Sequence, residues 1–455
     1  MLIVPPEGGQ DPSGASALAA ACDVLTRLPG SARLLIAVSG GSDSTGLLHA
    51  FHRGLIECGR SDVAIFAATI DHGLRRGSAD EARAVAALCA RLGIFHVTRV
   101  WQGEKPPTGI SAAARAARYD LLCAIADDLH VDAILSGHTL DDQWETLAMR
   151  ASRPGGEGGA GAVGMAPAVL LCGRHWLLRP FLRLRRQTIR RFLVASGLGW
   201  IDDPSNSDLR FERARTRLRL AEAASLPSPE ELDRLALQRL ALGRAVAARL
   251  GQGLAVSGGV LARLDPAVLA DADAPVLTAA CAALAAVFGG RVHPPARDSL
   301  GRIVAFLRSD RPGRLTAGRV LFDRRRAGLF ILRESRDLPI LGLSPGESAE
   351  WDGRFLLHND GAVPLTVGPC PADRALAVSR FPGVPASLAL TALRALPGLH
   401  GVAQGRQADL RCLPILQPYR SFLPAFELDL ANSFAVRLGL QAFPPLPFNV
   451  FDRKT

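Results

Sequence analysis

Leu34-Leu35-Ile36-Ala37-Val38 runs without a break into Ser39-Gly40-Gly41-Ser42-Asp43-Ser44, after which Leu47, Leu48, Phe51 and Leu55 recur at helical spacing. This reads as a buried strand, a glycine turn and the start of an amphipathic helix. The two glycines let the backbone come close to a bound anion, the hydroxyls add donors, and the free N–H groups of the helix end favour phosphate. A glycine turn at a strand end also occurs with no ligand, so the whole string has to be weighed. It carries an acid inside the loop and no lysine after a glycine, which excludes a Walker-type loop.

Outward from this point, residues 31 to 180 alternate short apolar runs with helical patterns, the signature of an α/β fold with an open parallel sheet and crossover helices. Val63 to Ile70, His96 to Val100 and Val131 to Ser136 read as further strands. Between them Ser78 and Glu81 have capping-box spacing, Ala82, Val85, Leu88, Cys89 and Leu92 keep a helical period, and Gly93 supplies the stop. The second strand ends in Asp71-His72-Gly73-Leu74-Arg75, and the fourth in Ser136-Gly137-His138-Thr139-Leu140-Asp141-Asp142-Gln143-Trp144-Glu145-Thr146. Carboxyl ends of parallel strands are where such sheets bind ligands. Helical spacing puts Asp141 and Glu145 on one face with Asp142 in reach, and clustered acids repel one another unless a cation sits among them. Acids set against a helix dipole account for Asp141 and Asp142, but not for Glu145 with His138.

The chain has 455 residues, 48% hydrophobic and 21% charged, a soluble globular composition too long for one core. Three domains are expected, over residues 1–217, 218–335 and 336–455: the α/β domain, a mainly helical part with terminal strands, and a small α+β part. Glu230 to Leu307 looks helical, and residues 314–333 and about 351–366 look like strands. No apolar stretch reaches the ~18 residues that span a bilayer, and MLIVPPEGGQDPSG lacks a charged region before an apolar one, so a cytoplasmic protein with no membrane partner is expected. The eight cysteines form no CxxC pair and read as free thiols.

A net charge of +10 suits a polyanionic partner only where it is concentrated. It is: Arg174 to Arg219 holds 12 arginines against Asp202, Asp203, Asp208 and Glu212. Lysine is confined to Lys105 and Lys454, so the patch is built of guanidinium forks that match phosphate. The run from Arg153 to Gly164 is too glycine-rich for a regular element and is either a linker or a loop beside the site.

The SGGSDS string resembles the pyrophosphate loop of the PP-loop ATPase superfamily, in which ATP loses pyrophosphate and its α-phosphate is transferred as an adenylate. With DHGLR and GHTLDDQWET in this order and spacing, the chain resembles the tRNA(Ile)-lysidine synthetase family. Ala114-Arg115-Ala116-Ala117-Arg118-Tyr119 resembles that family's ARxxRY helix, Arg179-Pro180-Phe181-Leu182 its RP-hydrophobic strand, and Asp203-Pro204-Ser205-Asn206 its DPSN turn. The likeness is strong over about residues 31–217 and faint beyond, where Trp351-Asp352-Gly353-Arg354-Phe355 is similar to part of a carboxy-terminal domain. Two departures stand out. The family's RGSG-type loop is replaced by the glycine run, and the Tyr and Arg-Asn after DPSN become Phe211 and Arg213-Ala214.

The resemblance implies that Ser39, Gly40, Gly41, Ser42, Asp43 and Ser44 hold the phosphates of ATP, with Asp71 and Arg115 also on the nucleotide and Asp43 positioning Mg²⁺. It implies an isoleucine tRNA with a CAU anticodon and free lysine as the other substrates. The wobble cytidine is adenylated at O2, and the lysine amine then displaces AMP at C2. Asp43, His138, Asp141, Asp142 and Glu145 are the expected catalytic groups. Arg118, Gln143, Arg185, Arg186 and Arg217 are the expected substrate contacts, although Arg115 and Arg118 also suit an exposed basic helix face. Rival readings are tRNA thiolation, for which paired cysteines are missing, amidation of a small molecule, which leaves the arginine patch without a task, and a tRNA-binding protein without catalysis.

Overall fold

The computed structural model describes residues 16–452 apart from residue 76, residues 153–162, 203–209, 211, 223–224, 310 and 402–408. The chain divides into two compact units, one of residues 1–239 with 444–455 and one of residues 240–443.

The first unit is built on β1 (Ala32–Ala37), β2 (Val63–Asp71), β3 (Phe95–Val100), β4 (Ala133–Ser136), β5 (Ala168–Leu171) and β6 (His175–Leu178). These six lie in the order β5-β6-β4-β1-β2-β3, all parallel except the β5–β6 hairpin. Leu34, Leu35 and Ile36 of β1 are fully buried, as a central strand covered on both faces requires. Its helices are α1 (Ala17–Arg27), α2 (Ser42–Glu57), α3 (Ser78–Arg91), α4 (Ile110–Asp128), α5 (Leu140–Ala151), α6 (Arg186–Ala195) and α7 (Glu212–Ala221).

The strand order places the site. β1 pairs with β2 on one side and with β4 on the other, so the chain reverses its winding direction there, and crevices open at the carboxyl ends of strands at such a point. Ala37 is in register with Ser136, which brings the turn after β1 against the turn after β4. A β-carbon on Gly137 would lie 2.7 Å from the Asp43 carbonyl oxygen, so the close approach of the two turns requires glycine. Likewise a β-carbon on Gly46 would lie 2.2 Å from the Ile189 side chain, which is how α6 comes to rest on α2.

Several expectations need correction. Gly77, in the left-handed region at φ +95°, precedes α3 with no side-chain cap, while the Ser78 hydroxyl turns to the Arg75 carbonyl and Glu81 to the Arg75 guanidinium. The ion pair with Arg75 outcompetes the expected capping box. A capping box does occur at α5, between Thr139 and Asp142. Arg179-Pro180-Phe181-Leu182 is a turn rather than a strand, because Pro180 has no N–H for the ladder and the chain folds back through Leu184 N–H to the Phe181 carbonyl.

In the second unit the expected helical stretch is interrupted by a hairpin, Leu254–Ser257 with Leu261–Leu264, before helices Ala274–Gly289 and Arg297–Arg308. Gly258 and Gly259, both at positive φ, make that turn. The strands expected near 314–333 and 351–366 are present as Gly313–Ala317, Val320–Arg325, Gly328–Arg333, Phe355–Asn359 and Leu365–Pro369. Trp351-Asp352-Gly353-Arg354-Phe355 is a tight hairpin with Asp352 and Gly353 both at positive φ. Buried Asp352 accepts from Arg333, Arg354 and Arg319, so the motif is accounted for as a structural hub. No helix of the described residues is long and apolar enough to cross a membrane.

Candidate functional site

Gly40 takes φ +85°, and Gly41 precedes α2 with no side chain to cap the helix, which leaves the first amides of α2 open at the end of the loop. The hydroxyls brace the loop from within. Ser44 Oγ accepts from the Ser39 N–H at 3.1 Å, and Thr45 Oγ1 donates to the Gly40 carbonyl at 3.1 Å. A β-carbon on Gly40 would strike Ile201 at 2.7 Å, whereas one on Gly41 would meet nothing nearer than Ser39 Oγ at 3.7 Å. Gly40 is therefore required by the protein's own packing, and Gly41 leaves open space.

Asp43, in the first turn of α2, accepts from Ser42 Oγ at 3.0 Å and from Arg186 Nε at 2.8 Å. Burial pushes its carboxyl upward, against the pull of Arg186. Arg186 also lies 3.4 Å from Asp142 and 3.7 Å from Glu145, and its backbone N–H donates to Asp141 at 2.8 Å. Burial acts to lower the guanidinium, but Asp43 and Asp142 outweigh it and raise Arg186 above its ordinary value. The expected cation among the acids is thus supplied by the chain itself. Among the described residues no group of three His, Cys, Asp or Glu side chains is arranged to hold a metal ion.

The acids of α5 have different surroundings. Asp142 Oδ2 accepts from the Thr139 N–H at 2.9 Å and hydroxyl at 2.8 Å. Burial works against its charge, but Arg186 and the Thr139 donors hold it below the usual carboxylate range. Glu145 is only 1% exposed; Oε1 accepts from Arg217 at 2.6 Å, while buried Oε2 has no hydrogen bond and Arg213 lies 4.0 Å away. His138 shares a 2.9 Å hydrogen bond between Nδ1 and Ser136 Oγ. Burial, then Arg179, push its ring down to about 3.

The remaining expected residues fall in four settings. Asp71 is buried and accepts the Gly73 N–H, and beside it His72 Nε2 receives Arg118 at 3.2 Å. Arg115 stacks on Tyr119 at 4.9 Å and is close enough to His138 to disfavour its protonation. Gln143 has both ends of its amide on the Met165 backbone, the residue after Gly164, so this side chain ties down the end of the glycine run. Arg185 lies over the Trp144 ring at 4.5 Å and pairs with Asp141. The DPSN turn, Phe211 and residues 153–162 lie outside the described residues.

Part of the arginine patch is turned inward, and Arg174, Arg185, Arg210, Arg213, Arg215 and Arg219 are exposed. Arg179 is 2% exposed, Arg183 is paired with Glu230 and Asp233, and Arg186 and Arg217 are held by site carboxylates. On α7 the helical period sorts alternate arginines: Arg217 is half-buried against Glu145 with the exposed Arg213 4.0 Å from the same carboxylate, and Arg215 and Arg219, also exposed, fall on the next pair of positions. One functional candidate went unrecognised in the sequence. Arg190 sends Nε to Ser42 Oγ at 3.3 Å while its guanidinium lies over Trp200. It stands one helical turn after Arg186, and that four-residue interval on a helix facing the loop was the available signal.

His72 is also depressed, to about 4, by burial and then Arg118. Both rings are neutral in the folded protein, whereas the unfolded chain takes up protons near 6.5. More protons on the unfolded state means that this contribution to stability is intact above about pH 6.5 and is lost as pH falls toward 3–4. The denaturation midpoint should be lower at pH 5 than at pH 7.5, and His138→Asn should shrink the difference. An unchanged difference in the variant would show that His138 is not buried as a neutral ring.

Residues 16–224 match the PP-loop domain family. The chain is 42% identical over 429 residues to a tRNA(Ile)-lysidine synthase of Rhizobium meliloti, covering 91% of this chain and 93% of that one. It is 40% identical over 430 residues to the tRNA(Ile)-lysidine synthase of Mesorhizobium japonicum (90% and 93% covered), and 39% identical over 354 residues to that of Brucella ovis (74% and 76%). An ATP-type pyrophosphate loop after β1, an acidic helix after β4 joined to it through Arg186, and relatives matched over nine-tenths of their length lead to one conclusion: the chain belongs to the tRNA(Ile)-lysidine synthase family.

Proposed function

We propose that this protein uses ATP to convert the wobble cytidine of a CAU-anticodon isoleucine tRNA into lysidine with free lysine. In the first step cytidine O2 attacks the α-phosphate and the bond to pyrophosphate breaks. In the second the lysine ε-amine attacks C2, the C2–O2 bond breaks, AMP leaves with that oxygen, and the amine gives up a proton.

The observation that carries this reading is the junction of the two turns: Arg186 bridges Asp43 of the phosphate loop with Asp142 and Glu145 of the acidic helix. A nucleotide site and a cation-selecting site are thereby adjacent, as transfer from an adenylate to an amine demands. The open amides of α2, the loop hydroxyls and Arg190 hold the phosphates and the departing pyrophosphate. Asp43 offers a hard oxygen beside them, which fits Mg²⁺, an ion bound by one or two carboxylates together with substrate phosphates. That ion supplies charge neutralisation of the phosphates. His138, held neutral, orients through Ser136, and Glu145 Oε2, without a hydrogen bond, is our assignment for the acceptor of the amine. Arg215 and Arg219, on the exposed face of α7, are better placed for RNA phosphate than Arg186.

Incubation with total tRNA, ATP, Mg²⁺ and labelled lysine, followed by nucleoside analysis, tests the reading. The expected product is one labelled nucleoside that needs both ATP and lysine. Adenylated tRNA that passes to ammonia or sulfur and never to lysine would overturn it.

A further inference from the structure

Arg186 touches both halves of the site at once. Nε donates to Asp43 at 2.8 Å, one terminal nitrogen lies 3.4 Å from Asp142, and the other lies 3.7 Å from Glu145. The side chain is 20% exposed at the start of α6, on a long stem that can reorient without moving the helix. Its neighbours on α6 have other partners: Arg185 lies over Trp144, and Arg190 lies over Trp200 and reaches Ser42.

This arrangement has a consequence for ligands of opposite charge. An ammonium group entering the acidic helix meets carboxylates already neutralised by a guanidinium, and gains little there until that guanidinium withdraws. Phosphates entering the loop offer Arg186 a planar anionic partner that a guanidinium fork binds at two points. Arg186 lies against Glu145 Oε1, which Arg217 also holds at 2.6 Å, while the buried Oε2 has no hydrogen bond, so withdrawal of Arg186 lowers the positive charge beside a carboxylate that already has an oxygen for an incoming N–H donor.

We propose that Arg186 is a positioning residue that couples the two small substrates: in the free protein it stands in for the amine's ammonium group on Asp142 and Glu145, and nucleotide phosphates draw it away so that the amine binds after the nucleotide. The inference rests on the reading of lysine as the amine substrate. By linkage it is reciprocal, and lysine raises nucleotide affinity by the same factor.

Titration calorimetry of lysine into the full chain, with and without a nonhydrolysable ATP analogue and Mg²⁺, provides the test. Wild-type lysine affinity should rise by about tenfold or more with the analogue, the range of ordinary coupling between sites. Arg186→Gln should bind lysine equally in both conditions. Arg186→Lys covers the case in which glutamine unfolds the site; its ammonium cannot fork across phosphates, so the ratio should fall below that of the wild type. Equal wild-type affinities in the two conditions, or a wild-type ratio in a folded variant, overturn the proposal. Labelled-lysine incorporation into tRNA by the wild type, run in parallel, separates the two readings. Incorporation without coupling sinks the role of Arg186 alone, and no incorporation sinks the lysine assignment beneath it.

Discussion

Asp43→Ala is expected to reduce ATP-dependent adenylation of tRNA on the order of 10³-fold, the upper range for removing one group that faces developing charge. Asp43 is the carboxylate inside the loop, and its loss also frees Arg186 to lean on Asp142 and Glu145 alone. Gly41→Val should have a comparable effect for a different reason. Gly41 has φ −67°, and an added β-carbon meets only Ser39 Oγ at 3.7 Å, so the protein accepts the branch and the bound phosphate does not. Gly40→Val is the control: at φ +85°, with Ile201 at 2.7 Å from the added carbon, it should lower thermal stability as well as activity. Pyrophosphate release and thermal unfolding, measured together, distinguish the three. Near wild-type release by a folded Asp43→Ala or Gly41→Val protein would refute the phosphate assignment.

Glu145→Gln is expected to impair the use of lysine while sparing adenylate formation. The carboxylate is 1% exposed, holds Arg217 through Oε1 and leaves Oε2 without a hydrogen bond. Glutamine keeps the shape and removes the charge. Removing one partner of a buried charge pair costs roughly 3–5 kcal/mol, which corresponds to a lysine KM higher by roughly 2 × 10²- to 5 × 10³-fold. The steps separate in practice, because adenylated tRNA forms and pyrophosphate is released without lysine. If the variant stopped pyrophosphate release and left the lysine KM unchanged, Glu145 would belong to the nucleotide half of the site.

Much of the site was legible in the sequence because its chemistry is local. Strand β1, the loop and α2 are consecutive, so one apolar run, two glycines and a helical period were enough to place the strand, the turn and the helix start. The same holds for the acids of α5, whose spacing put Asp141, Asp142 and Glu145 on neighbouring helical positions. What the sequence misread was competition among neighbours. Ser78 and Glu81 have capping-box spacing, yet Arg75 takes Glu81, and Pro180 turns an apolar strand-like run into a turn.

By itself, then, the sequence determined the α/β class, the glycine turn between the first strand and its helix, the acidic cluster and the basic charge of residues 174–219, since each follows from the period or composition of a continuous stretch. Only the tertiary structure decided which charge meets which. Asp43 and Arg186 are 143 residues apart, and Arg217 is 72 from Glu145; these pairs exist because β1 and β4 are adjacent and a bare Gly46 lets α6 settle on α2. Residue spacing reports which side chains share an element, whereas the meeting of elements depends on strand order and close packing. For that reason the arginines that read as an RNA-facing patch proved in part to be the counterions of the site's own carboxylates.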